Sequence, residues 1–223
     1  MENSTIDDED MPILSESTLL ALQQFYAEKK IRDCIEETDY LKVNEASENL
    51  IQEDWNLSQF WYTEKTASIL AEECIKLAGS DSRIACLCSP TVFRVLFNRK
   101  STEFNAYLFE FDRRFEKMYG QNFVFYDYKD CPREKCEHLR GIFDVLLIDP
   151  PFLSDECFRK VRQFVNFLSH ENSKLIVCSG AIMEDAILEL FKANPCQNFR
   201  PEHVRKLGNE FYCYLNYVSE DLS

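Results

Sequence analysis

Asp149-Pro150-Pro151-Phe152 follows directly on the apolar run VLLI and is the most specific chemical signal in the chain. Two consecutive prolines fix φ at about −65° and remove two amide donors, so the backbone is stiff and its carbonyls are free to accept hydrogen bonds. An aspartate beside such a carbonyl can hold an amine by two of its hydrogens and aim the nitrogen lone pair at an electrophile. Phe152 adds a ring that can stack on a flat base or face an ammonium group. The bland reading is that D-P-P ends a strand, as proline turns often do. Other strand-like runs also end in carboxylates: Glu110, with Asp112 close behind it, and Asp127 after Tyr126. Glu110 stands about where a dinucleotide-type fold places the acid that accepts ribose hydroxyls. The first strand runs into Cys88-Ser89-Pro90-Thr91 with no glycine, so a pyrophosphate cradle is disfavoured. Any one of these acids alone reads as a turn former. Three in register point to a ligand crevice.

These residues need strands to carry them. Runs at 84–88, 106–111, 123–126, 143–149, 174–179 and 210–217 have strand character, and helix-like segments lie near 91–99, 112–119, 154–168 and 181–193. Such alternation implies right-handed crossovers and a mostly parallel sheet covered on both faces, a three-layer α/β sandwich. The last run, reached through a connection rich in Pro and Arg, fits an antiparallel edge strand. Upstream, Thr63 caps a predicted helix over 64–78 with Gly79 at its C′ position. The SQFWY stretch before it brings Phe60, Trp61 and Tyr62 to the domain entrance, where aromatic rings either face a ligand or close the core.

The chain has 223 residues, 45% of them hydrophobic, enough for one domain with a sizeable core. Its net charge of −14 is uneven: residues 1–57 hold 15 Asp/Glu against 4 Lys/Arg. The expected organisation is an acidic flexible start at 1–16, an amphipathic helix and acidic linker over 17–54, and a folded domain from 55 to 223. Tight polyanion binding is disfavoured because it needs clustered Lys/Arg, and the candidates at Arg113/Arg114, 159–162 and 200–206 read more simply as solvated faces. An acidic N-terminus and the lack of a long apolar window suggest neither a leader nor a membrane span. The ten cysteines contain no C-x-x-C pair, so reduced, packed thiols are expected and no metal site. His138, His170 and His203 show no ligand spacing and read as exposed residues without a role.

An acid followed by P-P and an aromatic, after the fourth strand of an alternating chain, resembles the class I S-adenosylmethionine-dependent methyltransferases that modify exocyclic or side-chain nitrogen. The likeness extends through FYAEKK (25–30), WNLSQFWY (55–62), FEFDRRF (109–115), FYDY (125–128), DPPFLSDECFRK (149–160), CSGAIMED (178–185) and NEFYCYLNY (209–217). Together these blocks are similar to the eukaryotic elongation factor 1-alpha lysine methyltransferase family. The resemblance implies a Rossmann-like class I methyltransferase fold, S-adenosyl-L-methionine as cofactor, elongation factor 1-alpha as protein substrate and a cytoplasmic setting. It implies that Asp149 and the Pro150 carbonyl orient the target amine while Phe60, Trp61, Pro151 and Phe152 face the substrate. On the cofactor side it implies Glu110 at the ribose, Tyr126 or Asp127 by the adenine, Ser89 and Pro90 in the first loop, and Tyr62 with Thr63 at the methionine end. The missing loop glycines depart from the general class. An N6-adenine nucleic-acid methyltransferase using the same motif is the alternative, and an inactive scaffold a third reading.

Overall fold

A computed structural model describes residues 51–99, 103–130 and 133–222. The acidic start expected at 1–16, the helix at 17–30 and all but residues 51–54 of the linker expected at 31–54, together with Cys34 and Cys131, lie outside the described residues.

The strands are β1 (Ser82–Leu87), β2 (Phe104–Glu110), β3 (Phe123–Phe125), β4 (Phe143–Ile148), β5 (Ser169–Gly180), β6 (Asn194–Pro195) and β7 (Phe211–Leu215). The helices are α1 (Glu64–Leu77), α2 (Pro90–Asn98), α3 (Arg114–Tyr119), α4 (Asp155–Leu168) and α5 (Glu184–Phe191). Among the described residues they build one seven-stranded sheet in the order β3-β2-β1-β4-β5-β7-β6. β1 to β5 pair in parallel, whereas β7 runs antiparallel to β5 and to β6. The antiparallel strand is therefore one place in from the edge. The two-residue β6, which carries no periodic signal, occupies the edge itself.

The central strands are apolar on both faces because both faces are covered. Val145 and Leu147 pack with Leu70 and Cys74 of α1 and Phe93 of α2 on one side, while Leu146 and Ile148 pack with Phe158, Val161 and Phe164 of α4 on the other. Three layers follow, as the alternation of runs implies.

Local chemistry sets the helix ends. The Thr63 hydroxyl accepts from the Thr66 amide at 3.2 Å, and Ser154 accepts from Cys157 at 3.4 Å. Asp112 accepts from the Arg114 amide at 2.9 Å, which delays α3 to Arg114 although helical spacing begins at 112. The turn into β1 is made by Asp81 at φ 63°, not by Gly79. β5 begins five residues before its apolar run because the Ser173 hydroxyl bonds the Phe143 carbonyl at 2.7 Å and accepts from the His170 amide at 2.8 Å. That clasp sits where the register with β4 shifts.

Candidate active site

The parallel register brings four strand ends to one level: Leu87 lies opposite Phe109 and Ile148, and Glu110 opposite Phe125. The chain beyond is tied across the sheet by Cys88 N to Phe109 O at 2.8 Å, Asp149 N to Leu87 O at 3.0 Å and Tyr126 N to Glu110 O at 3.0 Å. Cys88, Glu110, Tyr126 and Asp149 thus share one crest, at the carboxyl ends where open α/β sheets bind ligands. A cleft of about 390 Å³ opens there. It is closed on one side by residues 56–61 and on the other by the Pro150–Leu153 turn.

The first loop turns without glycine because Cys88 itself takes the left-handed conformation, φ 55°. Ser89 then precedes Pro90, which opens α2. The Ser89 hydroxyl makes no capping bond, and its buried oxygen has no hydrogen-bond partner. Glu110 is buried and accepts from the amides of Phe111 at 2.9 Å and Asp112 at 3.1 Å. Desolvation outweighs those bonds and pushes its carboxyl up to about 7. Asp149 is raised to about 7 by enclosure, against the lowering influence of the Tyr62 hydroxyl, with Glu110 adding like-charge repulsion. Both acids therefore sit near half-protonation at neutral pH.

Ser89, Pro90, Glu110, Tyr126, Asp127, Asp149, Pro150, Pro151, Phe152, Phe60 and Trp61 all line the cleft. Tyr126 is buried under it, its ring stacked on Phe164 at 4.7 Å, and the Asp127 carboxylate holds a turn by accepting from the Lys129 amide at 2.8 Å. Phe60 and Phe152 are 39% and 45% exposed, free to meet a partner. Tyr62 and Thr63 lie behind the wall. Tyr62 is buried with its hydroxyl beside Asp149 and Cys178, without completing a well-formed hydrogen bond to either. Thr63 is occupied as the α1 cap.

Several cleft residues had no sequence signal. Gln59 anchors the entrance segment: its amide nitrogen donates to Asp112 at 2.9 Å, and its amide oxygen accepts from Arg114 at 3.0 Å. His203 is not an exposed bystander. It bridges to Tyr62 in an antiparallel pair, its ring packs 4.8 Å from Tyr62 and 4.7 Å from Phe211, and burial lowers its pKa to about 4. Phe111, Tyr128, Lys129, Leu207 and Phe211 also line the cleft, as does Asn209, whose place just before the last strand-like run fits either the substrate mouth or a strand cap. Among the described residues, no cluster of His, Cys, Asp and Glu could hold a metal ion, and the eight described cysteines are free thiols.

The strand order 3-2-1-4-5-7-6, the acidic crest and the D-P-P-F turn together define a class I, Rossmann-like methyltransferase. A protein-family model described as "Probable N6-adenine methyltransferase" matches residues 53–219. The EEF1A lysine methyltransferase 1 of Gallus gallus is 43% identical over 96% of this chain and 97% of its own, and that of Homo sapiens 42% identical over 97% of both. The Saccharomyces cerevisiae protein-lysine N-methyltransferase EFM5 is 36% identical, covering 92% of this chain and 91% of its own. The chain belongs to this family of protein-lysine N-methyltransferases. Among solved structures, a TehB-like S-adenosylmethionine-dependent methyltransferase from Corynebacterium glutamicum has a TM-score of 0.49 at 14% identity, over 82% of this chain and 97% of that one.

Proposed function

We propose that the protein transfers methyl groups from S-adenosylmethionine to a lysine ε-amine of elongation factor 1-alpha in the cytoplasm. The carrying observation is identity of 36–43% over more than nine-tenths of the chain with relatives named for lysine methylation, with the D-P-P-F turn intact in a cleft.

The residues present fit the cofactor. The orphaned Ser89 hydroxyl at the first turn of α2 offers a polar partner at the methionine end, and Glu110 offers a carboxylate to ribose hydroxyls. Tyr126 and Asp127 would border the adenine. The cofactor supplies a methyl already activated on a sulfonium, so the protein has only to align the acceptor and exclude water.

The acceptor is a lysine whose reference pKa is about 10.4, and it attacks only as the free amine. Entry past Phe60, Trp61, Pro151 and Phe152 strips water from the ammonium and lowers its pKa by desolvation. The Asp149 carboxylate and the Pro150 carbonyl accept its N–H groups, fixing the nitrogen. An ionised Asp149 also favours the charged amine, so its part is orientation rather than activation.

The arginines that the sequence offered to the adenine reading are engaged within the fold. Arg113 pairs with Glu116, Arg114 with Asp112, Arg159 with Glu189 and Arg205 with Glu53, while Arg162 is half-buried against Phe191 and Arg200 covers Tyr212. The deciding experiment incubates the protein with methyl-labelled cofactor, purified elongation factor 1-alpha and total nucleic acid. Nuclease-resistant label in the protein band, absent with Asp149→Ala, is expected. Label lost on nuclease treatment would overturn the reading.

A further inference from the structure

Beside the cleft, and sharing Tyr128 and Lys129 with it, a second depression of about 620 Å³ is lined by residues 128–130 and 133–135 on one side and by Lys160, Gln163 and Phe164 of α4 on the other. Four cations line it, Lys129, Arg133, Lys135 and Lys160, against two carboxylates, Asp130 and Glu134. A basic concavity on a chain of net charge −14 is unexpected.

Most surface arginines are neutralised by a carboxylate neighbour, as Arg113, Arg114, Arg140, Arg159 and Arg205 are. In the depression Lys160 pairs with Glu156 at 3.0 Å, Arg133 reaches only the neutral Gln163 at 3.5 Å, and Lys129 sits over the Tyr128 ring. Among the described residues neither Lys129, Arg133 nor Lys135 forms a close ion pair, although the Glu156 carboxylate also feels the charge of Lys129. The walls are firm, because Cys136 and Leu139 anchor the 3₁₀ turn carrying Arg133 and Lys135, and Phe164 forms the floor from α4.

From the charge of this groove and its continuity with the cleft, we infer that Lys129, Arg133, Lys135 and Lys160 dock an acidic segment of the protein substrate, beside the lysine that enters past Phe152. The inference rests on the protein-lysine reading and names what that reading lacks, a surface that selects the substrate chain. Clustered positive charge raises the encounter rate and fixes the register of an anionic partner. The groove has room for a few carboxylate side chains.

Arg133 and Lys135 are exposed and do not line the cleft, so Arg133→Glu/Lys135→Glu is expected to leave the fold and the cleft intact. Two measurements on the full chain test the inference. In the first, fluorescence anisotropy follows a labelled hexaglutamate peptide binding to the protein and to the variant across a salt series. In the second, steady-state kinetics use purified elongation factor 1-alpha. Peptide affinity is expected to fall with salt and to drop at least tenfold in the variant, while KM for the protein substrate rises about tenfold with kcat and cofactor Kd unchanged. An unchanged KM overturns the inference, as does a labelled single-stranded RNA that displaces the peptide and binds more tightly at matched salt. If elongation factor 1-alpha is not methylated at all, the function reading fails alone, because the peptide titration still reads the groove.

Discussion

Asp149 and Glu110 are held near half-protonation at neutral pH by enclosure, which the Tyr62 hydroxyl and the two backbone amides only partly offset. A raised carboxyl pKa means that the folded chain takes up protons, so these groups favour the free protein most at low pH, and that advantage is lost as pH rises from about 4 through about 7. Cofactor binding has the opposite sign. With the sulfonium of the proposed cofactor placed beside the crest, the ionised carboxylates would be favoured, so affinity is expected to rise with pH between about 5.5 and 8 and binding below about 7 to release protons. Isothermal titration calorimetry in buffers of different ionisation enthalpy reads this, and Glu110→Gln removes much of the release. Glu110→Ala is expected to weaken cofactor binding by about 10- to 100-fold, the worth of a charged hydrogen bond. Asp149→Ala is expected to abolish transfer with cofactor Kd changed less than threefold. Equal losses in both would show that Asp149 serves the cofactor and not the amine.

Elements carry these side chains with uneven redundancy. The parallel strands are braced on both faces, but the entrance segment depends on Gln59, whose amide spans Asp54, Asp112 and Arg114. Gln59→Ala leaves the buried Asp112 short of a donor, at a cost of about 1–3 kcal/mol. A lower thermal midpoint with a several-fold weaker cofactor Kd is expected, since residues 56–61 form one wall of the cleft. Thr63→Ala removes only a cap, about 1 kcal/mol, and leaves kcat unchanged. Sequence reading reaches what is periodic or punctuated: the central strands, the D-P-P-F turn, the Thr63 cap and the aligned acids. It does not reach β6, whose two residues have no period, nor His203, whose place depends on pairing with Tyr62 across the fold. The left-handed Cys88 is hidden for the same reason, because any residue can be forced to positive φ when neighbouring strands fix both ends.

At the scale of the whole molecule, charge and chemistry are separated along the chain. The acidic excess belongs to residues 1–57, whereas every residue lining the cleft lies at Asn56 or beyond. We propose residues 55–223 as the methyltransferase domain, with bonds reaching back to it from Ile51, through Trp61 Nε1 at 3.1 Å, and from Glu53. Removing residues 1–50 is expected to leave cofactor Kd unchanged, as equilibrium dialysis would read. The distribution of thiols has a further use. Seven of the eight described cysteines are buried, and the exception, Cys88, is half-buried in the cleft wall, where desolvation and the nearby Glu110 and Asp149 carboxylates push its thiol up. Its alkylation is therefore slow. Timed treatment with iodoacetamide and peptide mass mapping turns that one sulfur into a footprint of ligand occupancy, read on the unmodified chain without any methyl-transfer assay.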